Sequence, residues 1–285
     1  MPEPTWLSVL WAAVALLLLA VLGITFVAVV VRRHDPLRYL ERRVPVLAPR
    51  LSRDSWHGLT LTLSALLVVC GLWLFYVITE NVVGEDDLVG LDRAVNAWAN
   101  EHVPEGVFAF LRLITHAGDH ETLLVLSLLL GIGLLAQRHV WLCAAFVLTM
   151  AGGQGLMLLF KSLFGRIRPE GPLGASGFSF PSGHTSGATL LYGFLLFLVW
   201  TTRLPRALKG ACTVLLGLLI LLVGMSRIVL SVHWVSDVLA GFALGLTWLS
   251  FSLVAVRAVA AWSRAERVYW RPPSHIPGEL PGEGT

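Results

Sequence analysis

Residues 209–237 read KGACTVLLGLLILLVGMSRIVLSVHWVSD, a long apolar run that ends in a cluster of polar and charged residues. No charged residue lies between Lys209 and Arg227, and a helix of this length approaches the about 20 residues that cross a hydrocarbon core about 30 Å thick. Charged side chains at membrane depth are costly, and their usual explanation is functional. The stretch therefore predicts a transmembrane helix with a functional site at one end.

The composition extends this prediction to the whole chain. Of the 285 residues, 56% are hydrophobic and only 14% are charged, whereas soluble domains carry about 25% charged residues. The pattern does not show the strands of about 10 alternating residues that build an outer-membrane barrel. We therefore expect an all-α fold, a polytopic membrane helical bundle. Its seven predicted spans are residues 6–31, 58–79, 122–137, 140–160, 186–201, 209–227 and 235–261.

Three segments are expected along the chain. The first span and an arginine-rich linker make up residues 1–57, and the span is interpreted as an extra anchoring helix because its leader has Glu3 and no Lys or Arg, unlike a cleavable signal peptide. Residues 58–262 hold a core of six membrane helices, and the proline-rich tail 263–285 is expected to be disordered. Within the core, the apolar spacing of residues 88–103 predicts a helix lying along the membrane interface.

The basic residues are distributed unequally between the two sides of the predicted bundle. Residues 32–57 hold seven arginines, and this side carries fifteen of the 21 Lys and Arg residues. Residues 80–121, on the opposite side, hold nine acidic residues. Since cytoplasmic flanks collect Lys and Arg, the first side is predicted to be cytoplasmic, in an inner (plasma) membrane. Topology thus explains the basic charge, and we expect no nucleic-acid partner.

Three polar clusters occur at the ends of predicted spans. They are KSLFGRIRP at 161–169, PSGH at 181–184 and SRIVLSVHWVSD at 226–237. The predicted topology places all three on the extracytoplasmic face, although the spans follow from hydropathy and the sidedness from charge. The first cluster contains Lys161, one of only two lysines in a chain with nineteen arginines. A compact ammonium at this position suits contact with an anion.

The residue types in these clusters suit the binding and transfer of a phosphate group. His233 and Asp237 are four residues apart at the start of a helix, so the carboxylate can fix the tautomer of the imidazole and leave its other nitrogen free to attack. Ser182, Gly183 and His184 open a helix, where free N–H groups and the helix dipole favour an anion. Cationic side chains from the neighbouring clusters complete a phosphate site.

The order and spacing of the three clusters resemble the tripartite signature of the type 2 phosphatidic acid phosphatase superfamily. That signature is Lys-x6-Arg-Pro, then Pro-Ser-Gly-His, then Ser-Arg-x5-His-x3-Asp. The superfamily also includes bacterial lipid phosphatases and vanadium haloperoxidases, and the resemblance covers the predicted core, residues 58–262. The matching residues are Lys161, Arg168, Pro169, Pro181, Ser182, Gly183, His184, Ser226, Arg227, His233 and Asp237.

This resemblance implies a phosphatase that works through a phosphohistidine and needs neither a metal ion nor a cofactor. It implies that His233 attacks phosphorus, that Asp237 orients His233, and that His184 protonates the leaving oxygen. It also implies five phosphate-binding residues, namely Lys161, Arg168, Ser182, Gly183 and Arg227.

The resemblance further implies a lipid phosphate in the membrane as the substrate partner, either a phosphomonoester or a diphosphate. Undecaprenyl diphosphate and phosphatidylglycerol phosphate are favoured, with phosphatidate as a third candidate. Two other classes of function stay open at this point. One is a vanadate-dependent haloperoxidase-like enzyme, and the other is a non-catalytic lipid-binding or transport protein.

The sequence leaves several neighbouring residues without a role. Arg166 lies within the first cluster and is either a bystander or a second contact to the lipid head group. His116, Asp119 and His120 lie on the same face, where they either line the substrate or contribute to a metal site that lacks an evident third ligand. The oligomeric state is not indicated.

Overall fold

The computed structural model describes residues 59–85 and 87–269, which form eight α-helices, one short 3-10 turn and no strand. The predicted all-α fold is confirmed. The predicted first span at 6–31 and the linker after it lie outside the described residues. The elements are α1 Leu59–Gly84, α2 Asp87–His102, α3 Glu105–Thr115, the 3-10 turn His116–Gly118, α4 His120–Ala136, α5 Val140–Phe164, α6 Gly183–Thr201, α7 Arg206–Val229 and α8 Val235–Tyr269.

Five of the described helices, α1 and α5 to α8, are long and apolar enough to cross a membrane. Each of them carries one of the predicted spans. On α1, large apolar side chains such as Leu72 and Trp73 point outward and are 57% and 65% exposed. Such surfaces are expected where lipid is the surrounding solvent, because a lipid-facing helix has no need of a polar face. The chain is a multi-pass helical membrane protein.

The span predicted at 122–137 is corrected by the structure. Helix α4 has only 17 residues, fewer than the about 20 that a crossing needs. It qualifies as a sixth span only together with α3 and the turn after it, from which it is bent by 44°. Hydropathy identified the apolar part of this pair and missed α3, because the polar turn His116–Gly118 and Asp119 interrupt the apolar pattern.

Helix α6 lies at the centre of the bundle and packs against α5, α7 and α8. Its residues Leu190, Leu191 and Phe194 are at most 1% exposed. The ring of Phe194 packs against that of Phe146 on α5, with centroids 5.0 Å apart. Within a bilayer these contacts are stabilised by van der Waals packing, since lipid tails are as apolar as the side chains themselves. The core therefore fixes the position of α6 within the bundle.

Helix α8 approaches α6 through two glycines one turn apart. A Cβ atom on Gly241 would lie 2.8 Å from the backbone oxygen of Ser182, the residue that precedes α6. A Cβ atom on Gly245 would lie 2.8 Å from the Cβ of Thr189. Small residues at this spacing let two helix backbones come close together. The N-terminus of α6 is thereby held against the first turns of α8.

The helix directions bring the polar clusters to one end of the bundle. Helices α1, α5 and α7 finish, and α4, α6 and α8 begin, at this end, which we call the polar end. The backbone N–H of Ser182 donates to the carbonyl of Asp237 at 2.9 Å, which joins the second cluster to the third. Arg166 of the first cluster pairs with the carboxylate of Asp237 at 2.7 Å. The three clusters thus meet, as predicted.

The last helix extends beyond the predicted core. Helix α8 continues to Tyr269, which is inside the tail 263–285 for which disorder is predicted. Residues 263–269 contain neither glycine nor proline, so their composition does not end the helix. Residues 270–285 lie outside the described residues, and disorder there stays a prediction.

We expect Gly241→Ala to force α6 and α8 apart, because the added methyl group would meet a backbone oxygen that cannot rotate away. Overpacking of this kind costs about 1–3 kcal/mol, so the melting temperature in detergent should fall by several degrees. Gly217→Ala on α7 is the matched control, since nothing lies within 4 Å of its added Cβ. A wild-type melting temperature for Gly241→Ala would contradict the close approach.

Candidate active site

His233 lies in a tight turn between α7 and α8. The backbone N–H groups of Val232 and His233 both donate to the carbonyl of Arg227, at 3.2 and 3.1 Å. Ser231 has a φ of 51°, a left-handed conformation that costs a non-glycine residue about 1–3 kcal/mol. The turn buries His233, which is only 2% exposed. Backbone strain of this kind persists where the surrounding structure requires it, as at functional sites.

The partners of His233 determine which of its ring nitrogens carries the proton. Its Nδ1 lies 3.2 Å from Oδ2 of Asp237, and its Nε2 lies 3.1 Å from Nη1 of Arg168. A carboxylate can only accept and a guanidinium can only donate. Nδ1 therefore carries the proton and donates to Asp237, while Nε2 keeps its lone pair. Nε2 is therefore the unprotonated nitrogen of His233, and it accepts from Arg168.

Burial lowers the pKa of His233 to about 4. The hydrogen bond and the charge of Asp237 oppose this shift, and the nearby Arg168 and Arg227 guanidinium groups reinforce it. His233 is therefore neutral at physiological pH. A neutral imidazole with a free nitrogen is the form in which histidine acts as a nucleophile.

The second cluster forms the N-terminus of α6. Ser182 is its N-cap residue and is fully buried; its Oγ accepts from the backbone N–H of Thr185 at 3.5 Å and from the hydroxyl of Thr185 at 2.9 Å. Gly183, the first residue of the helix, has an N–H group without a partner inside the helix. A Cβ atom added to Gly183 would lie 3.2 Å from Cε of Met157 and 4.0 Å from Cε of Lys161. The predicted helix start at Ser182 and Gly183 is therefore present, and anion binding there stays a prediction.

His184 is paired with an acidic residue that the sequence left without a role. Its Nε2 lies 2.8 Å from Oδ1 of Asp119, and the other oxygen of Asp119 lies 2.6 Å from Nδ1 of His116. The carboxylate accepts at both positions, so Nε2 of His184 carries a proton and Nδ1 is the nitrogen left for a substrate. His120 instead contacts Gln154, at 3.1 Å, and does not join this group.

Three of the predicted phosphate-binding cations are held by neutral groups. Lys161 donates to the carbonyl of Phe178 at 2.6 Å. Arg168 donates to the carbonyls of Ser176, Gly177 and Val232 at 2.6–3.2 Å. Arg227 donates to the hydroxyl of Thr115 at 2.7 Å, and its Nε is buried without a partner among the described residues. None of the three forms an ion pair with a described carboxylate.

Arg166 is the exception, because it lies between two carboxylates. Its Nη1 is 2.7 Å from Oδ1 of Asp237, and its Nη2 is 2.8 Å from Oδ2 of Asp92 on α2. The side chains of both aspartates are 0% exposed. Neither of the two roles considered for Arg166 in the sequence, a bystander or a head-group contact, describes this arrangement.

Sequence reasoning missed Asp92, Ser236 and Thr115. Asp92 was counted among the acidic residues of the outer side, yet it follows Leu88 by four positions and so shares the apolar face of α2. A single carboxylate on an apolar face is a signal that the helix covers a buried partner.

Within residues 59–85 and 87–269, no three His, Cys, Asp or Glu side chains are arranged to hold a metal ion.

A family model described as the PAP2 superfamily matches residues 141–260, a range that contains all three clusters. These residues are therefore similar to the domain that defines the PAP2 superfamily. The match begins in α5 and ends in α8, so α2 to α4 precede it. Asp92, Thr115 and Asp119, which contact Arg166, Arg227 and His184, therefore come from outside the matched range.

A curated sequence and a crystal structure, both from Bacillus subtilis, extend the comparison. The chain is 34% identical over 138 residues to phosphatidylglycerophosphatase B of Bacillus subtilis (strain 168), a match that covers 45% of this chain and 64% of that protein, just under two thirds of its length. It also resembles the crystal structure of a transmembrane PAP2-type phosphatidylglycerolphosphate phosphatase from Bacillus subtilis, with a TM-score of 0.58 and 29% identity over 70% of this chain and 96% of that chain. The described helical bundle thus has the fold of a transmembrane PAP2-type protein.

We expect Arg227→Met to weaken the binding of inorganic phosphate at the polar end. A hydrogen bond to a charged group contributes about 1.5–3 kcal/mol, which corresponds to about 10–100-fold in the dissociation constant. Because Arg227 is buried without a carboxylate, its replacement should leave the melting temperature unchanged or raise it. Arg112→Met, at an exposed position of α3, is the control. Unchanged phosphate affinity in Arg227→Met would exclude Arg227 from the phosphate site.

Proposed function

We propose that this protein is an integral membrane lipid phosphatase that hydrolyses a phosphomonoester or diphosphate through a phosphohistidine on His233. The observation that carries the proposal is that three cations at the polar end contact only neutral groups, whereas Arg166 is paired with carboxylates. Lys161, Arg168 and Arg227 are left without ion pairs among the described residues, in the same site as a neutral histidine whose unprotonated Nε2 accepts from Arg168. Such a site attracts a phosphate group and offers it a nucleophile.

The first step is the transfer of the phosphoryl group to the enzyme. Nε2 of His233 attacks phosphorus, a P–N bond forms, and the P–O bond to the lipid breaks. His184 enters this step as the imidazolium: its Nε2–H stays bonded to Asp119, and the extra proton on Nδ1 passes to the leaving oxygen. Asp237 stabilises the positive charge that develops on the imidazole of His233. General acid catalysis of this kind raises the reaction rate by about 10²–10⁴-fold.

The second step returns the enzyme to its starting state. His184, now without its extra proton, accepts a proton from a water molecule as that water attacks phosphorus. The P–N bond breaks, inorganic phosphate leaves, and His233 is neutral again. Lys161, Arg168, Arg227, the hydroxyl of Ser182 and the N–H of Gly183 hold the phosphate oxygens in both steps. Phosphoryl transfer depends mainly on such positioning and charge neutralisation.

Phosphatidylglycerol phosphate is the substrate that we favour. The Bacillus subtilis relatives are a phosphatidylglycerophosphatase and a phosphatidylglycerolphosphate phosphatase. A site at the ends of membrane helices also suits a substrate whose phosphate lies at head-group level while its tails stay in lipid. Undecaprenyl diphosphate and phosphatidate share this geometry and serve as the comparison substrates.

The polar end is proposed to face the extracytoplasmic side of the inner (plasma) membrane. The opposite side carries Arg203, Arg206 and Lys209, and the seven arginines of residues 32–57 are assigned to it by the topology. Positively charged loops remain cytoplasmic during membrane insertion. The substrate is accordingly a lipid of the outer leaflet.

The test is phosphate release by the purified full chain in detergent from each of the three lipid phosphates. Wild-type protein should release phosphate from at least one of them, and His233→Ala should release none above background because the P–N bond cannot form. His139→Ala, an exposed histidine at the opposite end of the bundle, should retain wild-type activity. Release by His233→Ala at the wild-type rate would show that another group is the nucleophile.

The phosphohistidine separates this function from the two alternatives. Wild-type protein quenched during turnover of a ³²P-labelled lipid should carry acid-labile, base-stable label, and His233→Ala should carry none. A lipid-binding or transport protein would bind the lipid without becoming labelled. A haloperoxidase-like enzyme would oxidise halide in the presence of vanadate and peroxide and would release no phosphate from lipid.

A further inference from the structure

We propose that Asp92 and Arg166 are positioning residues, which hold the Asp237 carboxylate and through it set His233 for attack. Neither residue belongs to the three-part signature, and Asp92 precedes the matched PAP2 domain. The proposal rests on the proposed function, because it concerns the same nucleophile. Its geometric content, that Asp92 and Arg166 together orient His233, is separate from the identity of the substrate.

Arg166 uses its planar fork to join three groups. Nη1 donates to Oδ1 of Asp237 at 2.7 Å and to Oγ of Ser236 at 2.6 Å, while Nη2 donates to Oδ2 of Asp92 at 2.8 Å. Its guanidinium carbon lies 5.6 Å from the centre of the Trp234 ring, and its side chain is only 14% exposed. Because both Nη atoms are engaged by protein oxygens, the Nη groups of Arg166 are not directed at a phosphate.

Asp92 anchors the other end of this arrangement. Its Oδ1 accepts from the backbone N–H of Ser236 at 2.9 Å, and its Oδ2 accepts from the hydroxyl of Ser236 as well as from Arg166. Ser236 is in the first turn of α8, where backbone N–H groups have no partner inside the helix. Asp92 on α2 therefore caps α8, the helix that carries Asp237, and neutralises the arginine that binds Asp237.

These contacts fix the orientation of the Asp237 carboxylate, because both of its oxygens accept hydrogen bonds. Its Oδ2 accepts from the backbone N–H of Trp234 at 2.9 Å and faces Nδ1 of His233, while its Oδ1 accepts from Arg166. Without Arg166, Oδ1 would face a buried space without a donor, and the carboxylate would rotate or take up a proton. Either change would break the hydrogen bond that keeps Nδ1 of His233 protonated and Nε2 free.

The arrangement also explains why an arginine occupies this position. A bidentate guanidinium can contact two carboxylates with fixed geometry, whereas a lysine ammonium is a single point charge on a flexible stem. Arg166→Lys keeps the charge and removes the fork. Asp92→Asn keeps the shape of the side chain and removes the charge. Ser236→Ala removes only the hydroxyl that bridges the two, and is the mildest of the three changes.

The experiment measures kcat and KM of these three variants in the full chain, on the lipid phosphate that the wild-type protein hydrolyses. Changes to residues that orient the ligands of a metal ion cost about 10–100-fold, and we take this range for residues that orient a catalytic histidine. We expect kcat to fall by about that factor in Arg166→Lys and Asp92→Asn and by less in Ser236→Ala. KM and the inhibition constant of inorganic phosphate should stay within about twofold, since the phosphate ligands are untouched.

Matched controls use the same substitutions at exposed positions. Asp87→Asn is on the same helix as Asp92, and Arg112→Lys is on α3. Both should have wild-type kcat. Melting temperatures of all variants identify any loss of folding, and Ser236→Ala provides the kinetic test if the charged variants do not fold. A wild-type kcat in the folded variants would overturn the proposal. So would a loss of phosphate affinity as large as the loss of kcat, which would make Arg166 a phosphate ligand.

A second measurement does not depend on catalysis. In protein with ¹⁵N-labelled histidine, the Nδ1–H of His233 should give a downfield proton signal, identified by its absence from His233→Ala. The signal should be lost or shifted in Arg166→Lys and Asp92→Asn and kept in Asp87→Asn. An unchanged signal would overturn the positioning role. If the wild-type protein released no phosphate from any lipid, the proposed function would fail while this measurement still decided the positioning of His233.

Discussion

The buried carboxylate of Asp237 is the group on which the polar end of this bundle depends. The carboxylate accepts hydrogen bonds from His233, from the backbone N–H of Trp234 and from Arg166. The main-chain carbonyl of the same residue accepts from Ser182. A carboxylate with no solvent exposure has to obtain every hydrogen bond and its neutralising charge from the protein. This requirement brings the first and third clusters together at the carboxylate, and the main-chain carbonyl of the same residue joins them to the second cluster.

The cations at the polar end are divided into two kinds by what they contact. Arg166 is neutralised by two carboxylates and stays within the protein. Lys161 and Arg168 donate to carbonyls and Arg227 to a hydroxyl, so their positive charge is not cancelled by a described carboxylate. Side chains of one chemical type thus acquire different tasks from their neighbours. Arg166 is bound to the two aspartates, whereas the other three cations have no ion pair among the described residues.

The close packing of α6 against α8 brings the start of α6 next to these charged residues. Gly241 lets the backbone before α6 reach α8, so Ser182 lies next to Asp237 and the first N–H groups of α6 open into the site. A helix N-terminus favours an anion through these N–H groups and the helix dipole. In a membrane protein such a site belongs at the ends of the helices, because polar groups there escape the cost of the hydrocarbon interior. The small residues of α8 are therefore part of the site although they carry no polar group.

The sequence by itself determined the all-α membrane class, the helices that carry the three clusters, and the side of the bundle on which the clusters lie. Apolar run length and motif spacing are local properties of the chain. The positions of His233, Asp237 and the N-terminus of α6 at the ends of spans could therefore be predicted from them. Only the tertiary structure decided what Asp92, Arg166 and Asp119 do, and that α4 is half of a bent pair. Asp92 and Arg166 are 74 residues apart, and Asp119 and His184 are 65 apart. No periodicity spans such distances, because partners like these are chosen by how helices pack and by which buried charges must be neutralised.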